Sequence, residues 1–217
     1  MESAGAASNR KVAVQSEHLL SRNVQAGRVV AFAGGATGAL LVSQEFGERR
    51  SQHGITKFSL ADLRHHKNIH LHGEQIRDVK FSDEGGNVSY TLSTGFDKTL
   101  KVCDLRTDSV VVSYHLEGNG WSCQWSATNP AQMFCGVVDG TRVSAVQLFD
   151  LRSTAGAVNK LRAAARQRQP IHSICHTADD LLLCATMGGV WAWGGGTKSA
   201  GDGSGSGVEQ AEKLQIQ

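Results

Sequence analysis

The sequence predicts an all-β chain built as an array of about four copies of one four-stranded unit. Three observations predict it. Short β-branched or apolar runs alternate with turn signals, as in VVAFA–GGATG–ALLVS, KFS–DEGGN–VSYTLS and FCGVV–DGT–VQLFD, and no long helical periodicity interrupts them. Strand-ending residues fall into one column, Phe58, Cys103, Phe149 and Trp193, separated by 45, 46 and 44 residues. Glycine is abundant (25 residues) and proline scarce (2), which suits frequent tight turns without broken ladders.

The elements follow in order. Residues 1–25 are small and polar around one weak apolar patch, Leu19–Leu20, and read as a flexible leader. The repeat region spans 26–195. Its first unit opens with the hairpin Val29–Ser43 and closes on the strand ITKFSL, which holds Phe58. The second runs from His72 through IRDVKFS to a turn at Gly95–Lys98 and on to Cys103. The third runs from WSCQWS through VVDGT to Phe149, which places Asp139 42 residues after Asp97. Next comes NKLRAAARQRQ (159–169), whose Ala and Arg content predicts a short surface helix. The fourth unit fits IHSICHT and VWAWG more loosely. From 196 to 217 the expectation is a flexible tail, because the run of Gly, Ser, Ala and Thr up to Gly207 has too little apolar area to offset chain entropy.

Composition sets further bounds. The 217 residues hold a sizeable core at 40% hydrophobic content. A formal charge of +2 gives no global basic field for nucleic acid or anionic membrane. Five scattered cysteines with no C-x-x-C pair point to reduced thiols of an intracellular protein. No run approaches the roughly 20 apolar residues of a membrane span.

A period of 40–45 residues carrying four short strands is the signature of propeller blades of the WD40 type. The chain resembles that family, as a partial β-propeller of about four blades in an open or incomplete ring. Members hold each blade with a buried set: a His before the innermost strand, a hydroxyl on the second strand, an Asp in the following turn and a Trp on the third. The resemblance implies this structural role for His72, Ser93 (or Thr94) and Asp97 in the second unit, Asp139 in the third and Trp193 in the fourth. Cys103 and Phe149 stand in the tryptophan's place. Within the family, HGEQIRDVKFS, GWSCQW and the order of the segments around them resemble the C-terminal WD-repeat region of the RING-finger and WD-repeat E3 ubiquitin ligases of the Fanconi anaemia and replication-stress pathway. That likeness covers roughly Gly27 to Trp193. It implies a nuclear protein that docks replication protein A and ubiquitylation substrates in the DNA damage response, with no direct nucleic-acid or membrane contact. A generic WD40 interaction scaffold, or a truncated non-catalytic paralogue, is the alternative.

No catalytic residue is assigned. The chain carries no RING-type ladder of Cys and His, so ubiquitin-transfer chemistry does not reside in these residues alone. The glycines after Arg28–Ala33 lack the G-x-G-x-x-G spacing and the helix of a dinucleotide site, and a hairpin explains them. His65, His66, His70 and His72, and separately His172, Cys175 and His176, crowd together without a zinc spacing, so neither a metal nor a cofactor is expected. Binding is expected on the rim that carries the turns into the innermost strands. Arg77 and Trp121 lie near the start of those strands, and Phe96 and Val138 lie just before the turn Asp residues. Trp121 has an equally good reading as core. An open ring also leaves blade edges unpaired, where self-association is expected.

Overall fold

The computed structural model describes residues 28–33, 38–46, 52–61, 66–82, 89–163, 168–194 and 210–214. The leader 1–25 lies outside them, as does most of the tail. Among the described residues sixteen strands form four blades, each a four-stranded antiparallel meander. Blade 1 is β1 (Val30–Ala33), β2 (Ala39–Phe46), β3 (Gln52–Ser59) and β4 (His66–His72). Blade 2 is β5 (Ile76–Phe81), β6 (Tyr90–Gly95), β7 (Thr99–Asp104) and β8 (Ser109–His115). Blade 3 is β9 (Gly118–Trp125), β10 (Gln132–Asp139), β11 (Ser144–Asp150) and β12 (Asn159–Ala163). Blade 4 is β13 (Ser173–His176), β14 (Leu181–Thr186), β15 (Gly189–Gly194) and β16 (Gln210–Leu214). The first strands of the blades, β1, β5, β9 and β13, lie side by side along the inside of the array.

Local chemistry ends the strands where the sequence repeats itself. The third strands of blades 2 and 3 both stop on an Asp-Leu-Arg triplet. Asp104 accepts from the Arg106 amide (2.8 Å) and Asp150 from the Arg152 amide (2.9 Å), and each Arg folds back to pair with its Asp. These short side-chain turns compete with the ladder and terminate it. Four hairpins each place one non-glycine residue in the left-handed region: Lys98 (φ 58°), Asp108 (φ 54°), Arg142 (φ 61°) and Asp180 (φ 61°).

Hydrophobic burial is organised between blades. Blades 1 and 2 share Leu41, Ile55, Ile69, Leu71, Ile76, Val79, Cys103 and Leu105. Blades 2 and 3 enclose Leu92, Leu100, Val102, Tyr114, Cys123, Met133, Val137 and Phe149. Blades 3 and 4 enclose Phe134, Val146, Leu161, Ile174, Leu182, Cys184, Trp191 and Trp193. The strands between two such layers have both faces covered, which explains why β6 and β7 read as nearly continuous buried runs. Gly120 sits where blade 3 meets blade 2, and a Cβ there would overlap Thr94 Oγ1.

Two expectations are corrected. Asn159–Ala163 form a strand antiparallel to β11, not a surface helix. Among the described side chains of this strand only Leu161 reaches the core (6% exposed), so a strand rich in Ala, Arg and Lys shows no apolar alternation, and ladder pairing overrides helix propensity. Within the expected tail, Gln210–Leu214 run antiparallel to β15 and parallel to β12, joining the outer edges of blades 3 and 4. At the other end of the array β1 exposes Val30 (66%) and Phe32 (65%).

Candidate partner-binding face

The ends of the inner strands carry two groups of functional side chains, one that fixes the turns and one that faces outward. The first is a hydrogen-bonded set linking the end of β4 to blade 2. His72 Nε2 meets Ser93 Oγ at 2.9 Å, and His72 Nδ1 lies 3.0 Å from both Asp97 carboxylate oxygens. Thr99 completes it, donating its hydroxyl to Asp97 at 2.8 Å. The Gly73 and Thr99 amides also donate to Asp97, at 3.1 and 3.2 Å. A neutral His72 protonated at Nδ1 satisfies the arrangement: it donates to the carboxylate and accepts from the serine. Thr99 is the member sequence reasoning missed. It falls two residues past the turn Asp, as Thr141 does after Asp139, so the signal was present.

Burial alone would raise the Asp97 pKa, but the hydrogen bonds from His72, Thr99 and Gly73, with the nearby His72 charge, outweigh it and hold the group at about 2. Burial lowers the His72 pKa, and Asp97 only partly offsets this. Both folded-state values lie below the unfolded ones, so the stabilisation is present above the unfolded pKa and lost as pH falls. The His72 share is lost on acidification below pH 6.5, and the Asp97 share below pH 3.8 toward 2. Melting temperature is therefore expected to fall between about pH 7 and about pH 5. His72→Asn should lower it at neutral pH and flatten that dependence. A wild-type profile that rises toward acid contradicts the assignment.

The other residues expected in blade networks do different things. Asp139 accepts from the amides of Thr141 (2.9 Å) and Val143 (3.0 Å) and from the Thr141 hydroxyl, capping its own turn with no histidine involved. Trp193 is 4% exposed, and its Nε1 has no hydrogen-bond partner among the described residues, so it acts as apolar core. Cys103 is fully buried at the tryptophan position of blade 2, and burial pushes its thiol up to about 11. An unreactive core side chain follows.

The outward group is made by two β-bulges. The β5–β6 register slips between Ile76 and Asp78, leaving Arg77 as the extra residue. The β9–β10 register pairs Ser122 with Gly136 and Gly120 with Val137, leaving Trp121 extra in the same way. Bulges re-aim a side chain out of the ladder. Arg77 and Trp121 are 44 residues apart, one repeat, so adjacent blades turn equivalent positions toward each other. The Asp78 carboxylate accepts the Cys123 amide at 3.0 Å and ties the two inner strands together beside the bulges.

These constraints bring three of the expected binding residues into one cluster. The Arg77 guanidinium lies 4.6 Å from the Trp121 ring centroid and 5.2 Å from that of Phe96. Phe96 meets Trp121 edge-on at 5.2 Å, and His172 meets Trp121 edge-on at 5.4 Å. Phe96 is held there by its amide, which donates to the Gln75 carbonyl at 3.0 Å. The fourth expected residue, Val138, remains in the β10 ladder, paired with Asn119 and Ser144 and half-buried. His172 is exposed on the cluster's edge just before β13. His176 turns elsewhere: its Nδ1 accepts from the Ala127 amide at 3.0 Å, bridging blades 4 and 3. Arg, Trp and Phe in one half-exposed group are the composition of an interface anchor.

Comparison with known proteins agrees with this architecture. The family described as the E3 ubiquitin-protein ligase RFWD3 WD40 domain matches residues 16–192. The RFWD3 ligases of Homo sapiens and Ailuropoda melanoleuca are 29% and 28% identical to this chain over 139 residues. That stretch covers 64% of this chain and 17% of each relative, so the likeness spans about a sixth of their length. Among solved structures, the WD40 domain of Toxoplasma gondii coronin superposes with a TM-score of 0.62 at 14% identity. It covers 76% of this chain and 41% of that one, a likeness of fold alone. The chain is therefore a WD-repeat β-propeller protein, and it belongs to the RFWD3 WD40-domain family.

Proposed function

We propose that this chain is the partner-recognition part of a RING-type E3 ubiquitin ligase. It acts in the nucleus in the DNA damage response, at interstrand cross-link repair and replication stress. There it docks replication protein A and ubiquitylation substrates. Family membership supplies the ligase context, and the observation that carries docking is the Arg77–Phe96–Trp121 cluster raised on two successive bulges. Such a face contributes binding without chemistry of its own. The exposed Val30 and Phe32 on β1 favour a second contact at the open edge, with further blades or another copy of the chain.

Immobilised chain incubated with nuclear extract from cells under replication stress is expected to retain replication protein A, detected by antibody. Retention should fall when Trp121 is replaced by alanine. Recovery of none of that protein counts against the partner assignment and leaves a general WD40 interaction scaffold as the better reading.

A further inference from the structure

We infer that the Arg77 cluster selects an acidic segment of its protein partner: a Glu or Asp carboxylate binds the Arg77 guanidinium while an adjacent apolar side chain packs against Trp121. The inference rests on the reading of this face as a docking surface and adds what it recognises.

Arg77 differs from the two paired arginines of blades 2 and 3 in what it lacks. Arg106 and Arg152 are each closed by their own Asp104 and Asp150 in two-pronged pairs. Arg77 forms no ion pair among the described residues, and its Nε is buried with no acceptor there. The acid next to it in the chain, Asp78, and the acid next to Phe96, Asp97, are committed. Asp97 already accepts from His72, Gly73 and Thr99, and Asp78 accepts from Cys123 and Val79. Partial desolvation by two rings strengthens a guanidinium's interaction with any carboxylate that reaches it. It also pre-orders the planar fork, so less side-chain entropy is lost on binding. The Arg28 charge acts on the same group and adds to the positive field.

The rings argue against a nucleic-acid ligand. Single-stranded nucleic acids need open aromatic faces on which bases stack. Here Arg77 lies against both Phe96 and Trp121, the two rings meet edge-on, and His172 adds a further edge to Trp121. A phosphopeptide reader gathers several arginines on one phosphate. This cluster offers one positioned guanidinium, which suits a single carboxylate beside an apolar neighbour.

The test pans a random-sequence peptide library, displayed on phage, against the full 217-residue chain. An enriched peptide is then resynthesised with its acids intact and with Glu→Gln and Asp→Asn replacements, and both forms are titrated by fluorescence anisotropy. Enriched peptides should carry Glu or Asp next to an apolar or aromatic residue. Neutralising the acids, or making Arg77→Gln, should each weaken binding about tenfold or more. The two changes should not add: R77Q should bind the acidic and neutral peptides alike. If R77Q does not melt cooperatively, R77M, which removes the charge and keeps an unbranched stem against the rings, takes its place in the cycle. The inference is overturned if no acidic peptide is enriched, if the neutral peptide binds equally well, or if R77Q keeps the wild-type preference. Displacement of the peptide by a single-stranded oligo-dT at similar concentration also overturns it. Failure of replication protein A to bind, with acidic peptides still selected, removes the named partner and leaves this inference standing. Equal binding of replication protein A to R77Q and wild type does the reverse.

Discussion

Asp97→Ala should lower the stability of the chain by about 2–4 kcal/mol, the cost of leaving several donors without an acceptor. For a chain of this size that corresponds to a fall in melting temperature on the order of 10 °C. The carboxylate receives the His72 ring, the Thr99 hydroxyl, and the amides of Gly73 and Thr99. Its removal strands a 5%-exposed histidine between blades 1 and 2. Asp97→Asn, which keeps one acceptor oxygen, should cost less. Asp139→Ala provides the control. Its carboxylate is tied only to its own exposed turn, so the loss should be clearly smaller than at Asp97. Equal losses at both positions in thermal or urea denaturation would contradict the distinction between a network that joins blades and a cap on one turn.

Phe149→Ala should be more damaging, at about 3–5 kcal/mol. The ring is fully buried between blades 2 and 3 and lies 5.0 Å from Tyr114, whose hydroxyl donates to the Asp150 carbonyl at 2.9 Å. A cavity there loosens the hydrophobic layer and also the hydrogen bond that crosses it. Phe149→Leu retains most of the volume and should cost roughly half as much. Because each blade packs chiefly against its neighbours, the truncation is expected to broaden the denaturation transition as well as shift it. A single sharp transition at the wild-type midpoint would show that this layer does not hold the blades together.

These two residues show what was legible in the sequence. The blade period could be seen because one position recurs every 44–46 residues, and apolar packing tolerates Phe, Cys or Trp there. The turn Asp recurred for a simpler reason: any tight turn benefits from a carboxylate accepting nearby amides. What spacing did not show is the partner of that Asp. Asp97 reaches His72, whereas Asp139, with Asn119 near the histidine position, does not leave its own turn. The outer strands were hidden for a related reason. Asn159 and Arg162 bury little, so the sequence of this strand answers to solvent and reads as helix.

The candidate binding face was half legible. Arg77, Phe96 and Trp121 stood out as interface-prone residue types at the start of strands, but their meeting depends on bulges at Arg77 and Trp121. A one-residue slip leaves no mark in composition, and only the 44-residue spacing of the two positions hints at it. His172 drew attention as a metal-ligand candidate. Its actual place is the edge of the Trp121 ring.

The central claim, that the bulge-borne cluster is the surface that meets the protein partner, is tested most directly by calorimetric titration of the purified chain with purified replication protein A. Wild type and Trp121→Ala should be compared at matched melting behaviour. Saturable binding to wild type, weakened about tenfold or more by loss of the ring, is the predicted result. Binding that is indifferent to Trp121 would contradict it.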